Sequence, residues 1–137
     1  MKKKILIVED DEDLAKLTRR RLLFSDFEVM VVPDAIMALQ EINQFRPDLV
    51  LLDLMLPAGG GLAVLKRLRS SVYTTYIPVL VMSGLDREAD PDYFKKVEKL
   101  GIEEFIRKPF EGSRLVDVIN RILHEQYPDF PAEGKKG

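Results

Sequence analysis

Leu-Val-Leu-Leu-Asp-Leu-Met, residues 49–55, is the stretch on which the fold turns. Four apolar residues run without a polar interruption and then meet an acid. A strand with one wet face alternates apolar and polar side chains, and this one does not, so both of its faces must be covered. Sheets covered on both faces are parallel, and parallel strands need long crossovers, usually helices. The flanks should therefore read as repeated βα units, with Asp53 at a strand exit.

They do. Short runs rich in β-branched and apolar residues recur at Lys4–Val8, Glu28–Val32, Val79–Met82 and Glu104–Ile106. The stretches between them carry helical spacing. Ala35, Ala38, Leu39 and Ile42 form one face, and Gly61, Val64, Leu65 and Leu68 a second. Tyr93, Val97 and Leu100 mark a third, and Leu115, Ile119, Ile122 and Leu123 a fourth. Leu14, Leu17 and Leu22 define the face of the first helix. Asp11 and Asp34 suit N-caps, and Glu12 and Asp13 suit the positive end of a helix dipole. Gly101 suits a helix C-cap, and Pro109 closes the last strand. Pro57 to Gly61 reads as a turn, with Gly61 opening a helix. The pattern predicts an α/β fold, (βα)5, with a doubly wound parallel five-stranded sheet in the flavodoxin-like order 2-1-3-4-5.

The 137 residues suit one domain, and 46% hydrophobic content supports an ordinary core. A net charge of −2 gives no basic surplus for nucleic acid, so no direct nucleic-acid contact is expected. With no cysteine, disulfide scaffolds and thiolate metal sites are excluded, and a cytoplasmic setting fits. The apolar run after Lys2-Lys3-Lys4 is too short for a signal peptide, and no stretch is long enough to span a membrane. Tyr127 to Gly137 holds two prolines and two glycines. The domain is expected over 1–125, with 126–137 as a tail or the start of a linker.

Ligands of open parallel sheets bind beyond the carboxyl ends of the strands. There, strand 1 offers Glu9 and Asp10, strand 3 Asp53, strand 4 Ser83 and strand 5 Lys108. Strand 2, at the edge, offers only Pro33-Asp34. The four contributing strands are contiguous in the expected order, so their side chains converge on one pocket. Two like charges ~4 Å apart repel by roughly 4 kcal/mol at an effective dielectric of ~20, so three carboxylates call for a counter-charge. An all-oxygen set suits Mg2+, and Lys108 adds a point charge suited to phosphate. Asp53 is then the natural nucleophile of a phosphoryl transfer, with Ser83 as a donor to a phosphoryl oxygen. Taken singly, Ser83 and Lys108 would be a turn residue and a surface lysine; their common placement is the signal. His124, the only histidine, is expected to be exposed near the end of the last helix. Gly59 to Gly61 lacks the lysine of a P-loop.

Ile-Leu-Ile-Val-Glu9-Asp10, Leu-Leu-Asp53-Leu-Met-Leu-Pro57, Val-Met-Ser83-Gly84 and Phe105-Ile-Arg-Lys108-Pro109-Phe110, in that order, resemble the receiver domain of bacterial two-component response regulators. The resemblance covers residues 3 to 125. It implies that Asp53 accepts a phosphoryl group from a sensor histidine kinase or phosphotransfer protein. It implies Mg2+ held by Asp10, Asp53 and the carbonyl of Met55, with Glu9 acting through water. Ser83 and Lys108 would meet the phosphoryl group, Pro109 would follow a cis peptide, and Phe105 would stand at the switch-aromatic position. The readout would be a downstream effector protein or a fused output domain, with no membrane contact. Such a protein is a switch that catalyses only its own phosphorylation and dephosphorylation.

Three other readings are weaker. An aspartate-based phosphohydrolase wants a second acid two residues after the nucleophile, and Met55 stands there. A flavin carrier wants a Ser/Thr/Gly-rich loop after strand 1, where this chain has acids. A binding module without phosphorylation would not need the complete pocket.

Overall fold

The computed structural model describes residues 2–56 and 60–131. Among them are five strands, β1 (Lys4–Val8), β2 (Glu28–Val32), β3 (Leu49–Asp53), β4 (Val79–Ser83) and β5 (Glu104–Arg107). Five helices alternate with them: α1 (Glu12–Phe24), α2 (Ala35–Phe45), α3 (Gly60–Arg69), α4 (Pro91–Leu100) and α5 (Gly112–Gln126). All strand pairs are parallel, in the order β2-β1-β3-β4-β5.

Side-chain alternation splits the core into two layers. Ile5, Ile7, Leu49, Leu51, Leu80 and Met82 point to one face, under Leu22 of α1 and Leu115, Ile119 and Ile122 of α5. Leu6, Val8, Val50, Leu52, Val79 and Val81 point to the other. Ala38 and Ile42 of α2, Val64, Leu65 and Leu68 of α3, and Phe94 and Val97 of α4 cover that second face. All five residues of β3 are buried, as its unbroken apolar run requires. The edge strand β2 is half-buried over most of its length.

Most helix faces match their spacing, with two differences. Leu17 is 63% exposed; α1 buries Ala15, Thr18 and Leu22 instead. In a thirteen-residue helix, four leucines leave the direction of the apolar face under-determined, and the small Ala15 and Thr18 allow the closer approach. On α4, Phe94 is the buried anchor, and Tyr93 and Leu100 are only partly covered. Both expected aspartate caps are present, Asp11 accepting from the Leu14 N–H at 3.1 Å and Asp34 from the Met37 N–H at 2.8 Å. Gly101 ends α4 with φ +101°. The Lys108–Pro109 peptide is cis. Of the turn expected at Pro57–Gly61, residues 57–59 lie outside the described ones, and α3 opens at Gly60.

Position 125 falls inside α5, and Tyr127 and Phe130 pack onto the α1/α5 layer. The Tyr127 hydroxyl donates to the Asp48 carbonyl at 3.0 Å, and the Phe130 ring stacks on Phe27 at 6.3 Å. Residues 132–137 lie outside the described residues. Among the described residues, no helix is long and apolar enough to cross a membrane.

Gly61 couples packing to the strand exits. A Cβ here would lie 2.6 Å from the Asp53 carbonyl oxygen and 2.7 Å from the Leu54 Cα. Both are backbone atoms, so the helix or the exit of β3 must move. Gly61→Ala is expected to lower stability by about 2 kcal/mol, as overpacking does, read from the midpoint of urea unfolding.

Candidate functional site

Register brings the expected residues to one edge. Val8 pairs with Leu52, so Glu9 and Asp53 leave adjacent strands at the same level. Asp53 pairs with Met82, which puts Ser83 one step beyond it, and Ser83 pairs with Arg107, which puts Lys108 one step further. Carboxylate oxygens of Glu9, Asp10 and Asp53 all lie within 4.8 Å of one another.

The environments of the three acids differ. Glu9 is 1% exposed and Asp53 4%, whereas Asp10 is exposed. Lys108 closes the cluster, its Nζ donating to Glu9 Oε1 at 2.5 Å and to Asp53 Oδ2 at 2.8 Å. The other oxygen of each buried acid accepts from backbone: Asp53 Oδ1 from the Met55 N–H at 3.0 Å, Glu9 Oε2 from the Asp11 N–H at 3.3 Å. The Asp53 carboxylate is thus oriented from two sides.

Burial pushes the Glu9 carboxyl up, from 4.5 to about 7; the Lys108 bond opposes this, and the bond and charge of Asp53 add to it. Burial works to lower the Lys108 ammonium, but its bonds to Asp53 and Glu9 outweigh this, and its pKa is raised. One cation therefore serves two buried acids, which is insufficient when both are ionised. All-oxygen donors with a surplus of negative charge fit a hard divalent cation, with Asp10 exposed and Glu9 and Asp53 buried.

Ser83 is fully buried, and its Oγ accepts the Leu85 N–H at 3.2 Å. Among the described residues its own O–H has no acceptor and can donate. Met55 stands at the mouth with its side chain 59% exposed. Phe105 packs with the apolar layer instead, edge-on to Phe94 at 5.4 Å and beneath the Arg87 guanidinium at 5.2 Å. His124 is exposed on α5. Asp34, at the exit of β2, is spent as the α2 cap.

Two residues near the site carry no signal at strand-end positions. Asp90 caps α4, accepting the Tyr93 N–H at 3.2 Å, and both border an open groove beside Asp10. Tyr93 was legible only as part of a helix face. The length and course of residues 84–90 set where that face points.

A family profile described as "Response regulator receiver domain" matches residues 5–120. The DNA-binding response regulator MtrA of Mycolicibacterium paratuberculosis is 34% identical over 133 residues, 97% of this chain and 56% of that protein. The sensory transduction protein RegX3 of Mycobacterium bovis is 38% identical over 120 residues, 87% of this chain and 50% of that protein. The chain thus spans about half the length of these curated relatives. Among solved structures, a response regulator receiver domain protein (CheY-like) from Methanospirillum hungatei aligns with TM-score 0.86 and 25% identity, over 94% of this chain and 99% of that one. One relative is named for DNA binding, so the expectation of no direct nucleic-acid contact has no support for a protein with a fused output domain.

Proposed function

We propose, from the premise that this chain belongs to the response regulator receiver domain family, that it is a phosphoryl-accepting switch in which Asp53 is the acceptor. The observation that carries this is the posture of Asp53. It is buried, held by the Lys108 ammonium on one oxygen and the Met55 N–H on the other, beside two further acids.

The donor is a phosphohistidine on a sensor histidine kinase or phosphotransfer protein. An Asp53 oxygen forms the new bond to phosphorus. The P–N bond of the donor breaks, and its electron pair leaves on the imidazole nitrogen. Lys108 can stay with Asp53 and follow the charge that gathers on the phosphoryl oxygens. Ser83 has its O–H available for one of those oxygens. Asp10, Asp53 and the Met55 carbonyl would hold Mg2+, with Glu9 behind them through water. When bound, Mg2+ supplies charge neutralisation of the acids and the phosphoryl group. The switch acts on an effector protein or a fused output domain, and Phe105, packed between Phe94 and Arg87, is the side chain through which β5 reports the change.

Asp10 is the ligand whose loss can be read without disturbing the core, because it is exposed. Asp10→Ala is expected to weaken Mg2+ binding by about tenfold or more in a calorimetric titration. An unchanged affinity would remove Asp10 from the ligand set. The acceptor itself is tested by intact mass after incubation with Mg2+ and a small phosphodonor, where one added phosphoryl group is expected.

A further inference from the structure

At the amino ends of β3 and β4, the sheet edge opposite Asp53, lies a groove of about 490 Å3. Buried Ile42 and Ile77 line it together with Val72, Tyr73 and Tyr76, which are 81%, 79% and 54% exposed. Large side chains left in water this close together form a patch, unlike singly scattered ones. The backbone that carries them is held firmly. Arg69 donates to the Thr75 and Ile77 carbonyls at 2.9 and 2.8 Å, and the Thr74 hydroxyl donates to the Leu68 carbonyl at 2.7 Å. Gln126 donates to the Tyr76 carbonyl at 3.1 Å. Among the described residues, Tyr73 and Tyr76 enter such bonds through backbone atoms alone. One cation shares the groove. Arg46 ends α2 in the left-handed region, φ 53° and ψ 64°, where glycine is the ordinary residue. The helix end does not need its charge, because the Lys4 ammonium already donates to the Phe45 carbonyl at 3.2 Å. Among the described residues Arg46 pairs with no acid, and no acid lines the groove. On a chain of net charge −2 the groove is a positive exception.

We propose that this groove docks an extended segment of a partner protein, one that carries a carboxylate next to an aromatic or branched apolar side chain. Arginine and tyrosine are the residues that dominate binding hot spots, and a strained backbone that the fold does not exploit points to a use for its side chain. The Arg46 guanidinium can donate two parallel bonds to the carboxylate. The apolar neighbour packs on the tyrosine rings, which lose little freedom when covered. The loop is already ordered, so little of the binding energy is lost in ordering it. A small molecule suits the groove less, since such ligands are bound largely enclosed and these walls stand mostly in water. A second copy docking patch to patch would bring its own Arg46 to the same place, like charge against like. Five residues of β3, at about 3.3 Å each, separate the groove from Asp53, and the inference does not rest on the acceptor reading.

The probe is a phage-displayed library of random dodecapeptides selected on the whole chain, with the enriched sequences synthesised and titrated by fluorescence polarisation. They should carry Asp or Glu beside Phe, Tyr, Leu or Ile. Tyr73→Ala should weaken their binding about tenfold or more, as loss of a hot-spot ring does. Arg46→Gly should weaken it about tenfold through the lost charged bonds, without lowering the midpoint of urea unfolding, because glycine relieves the left-handed backbone. A selection that yields no peptide, peptides without an acid, or affinities unmoved by either variant overturns the proposal. A lower urea midpoint for Arg46→Gly also overturns it, since the arginine would then serve the fold. Dimerisation in sedimentation equilibrium that Tyr73→Ala abolishes would give the groove to a second copy and overturn the partner assigned to it.

Discussion

Asp53→Asn is expected to abolish phosphoryl gain from acetyl phosphate and Mg2+, lowering the rate by at least about a thousandfold. The substitution keeps the shape of the side chain and an oxygen to accept the Met55 N–H, which Asp53 Oδ1 now accepts at 3.0 Å. It removes the nucleophilic oxygen pair and the charge that Lys108 holds at 2.8 Å. The fold should survive, because Lys108 keeps its second partner, Glu9. Intact mass measures the loss, and circular dichroism checks that the fold is intact. A variant that still gains one group would move the acceptor to another side chain, and Asp10 would be examined first.

The second large effect concerns stability in the absence of metal. Burial holds the folded Glu9 carboxyl at about 7 against an ordinary 4.5. Below the ordinary value, folded and unfolded chains both carry the proton, and a neutral buried Glu9 contributes its full stability. Between the two values the unfolded chain has released the proton and the folded chain still holds it, so stability falls as pH rises. Above about 7 that contribution is gone. At ~1.4 kcal/mol per pH unit, the loss is about 3 kcal/mol. The raised Lys108 ammonium titrates well above this window and leaves the sign unchanged.

Metal-free protein should therefore melt at lower temperature near pH ~8 than near pH ~5.5, and Glu9→Gln should flatten that slope. Millimolar Mg2+ should stabilise more at the higher pH, since it binds ionised carboxylates in the folded chain only. Calorimetric melting with and without chelator measures both effects. A metal-free melting temperature that rises across the window would show that Glu9 folds as a carboxylate.

Much of the architecture was legible because it is local. The unbroken run Leu49–Leu52 required cover on both faces, and β3 is buried throughout. The helical spacing of Leu115, Ile119, Ile122 and Leu123 marks four residues that are all buried on α5. The strand-end rule gathered Glu9, Asp10, Asp53, Ser83 and Lys108, and the sheet register puts them at one edge. Leu17 failed because four leucines in one helix can face more than one way, and neighbouring small residues decide which way packs closer. The segment from Tyr127 reads as a tail by composition, because its prolines and glycines outweigh its aromatic rings. Tyr127 and Phe130 nonetheless find partners in Asp48 and Phe27.

Alone, the amino-acid order determined the βα repeat, the parallel sheet and the identity of the groups leaving each strand. Periodicity and chain exits depend on neighbours a few residues apart. Tertiary structure decided what each group became. Glu9 and Asp10 are adjacent, yet one is buried and the other exposed. The partner that makes Glu9 tolerable there, Lys108, is 99 residues away. Asp90 and Tyr93 reach the acceptor's side only through the path of residues 84–90. Burial of a charge, its compensation and the groove beside it depend on such distant contacts, and these exist only once the sheet has closed its register.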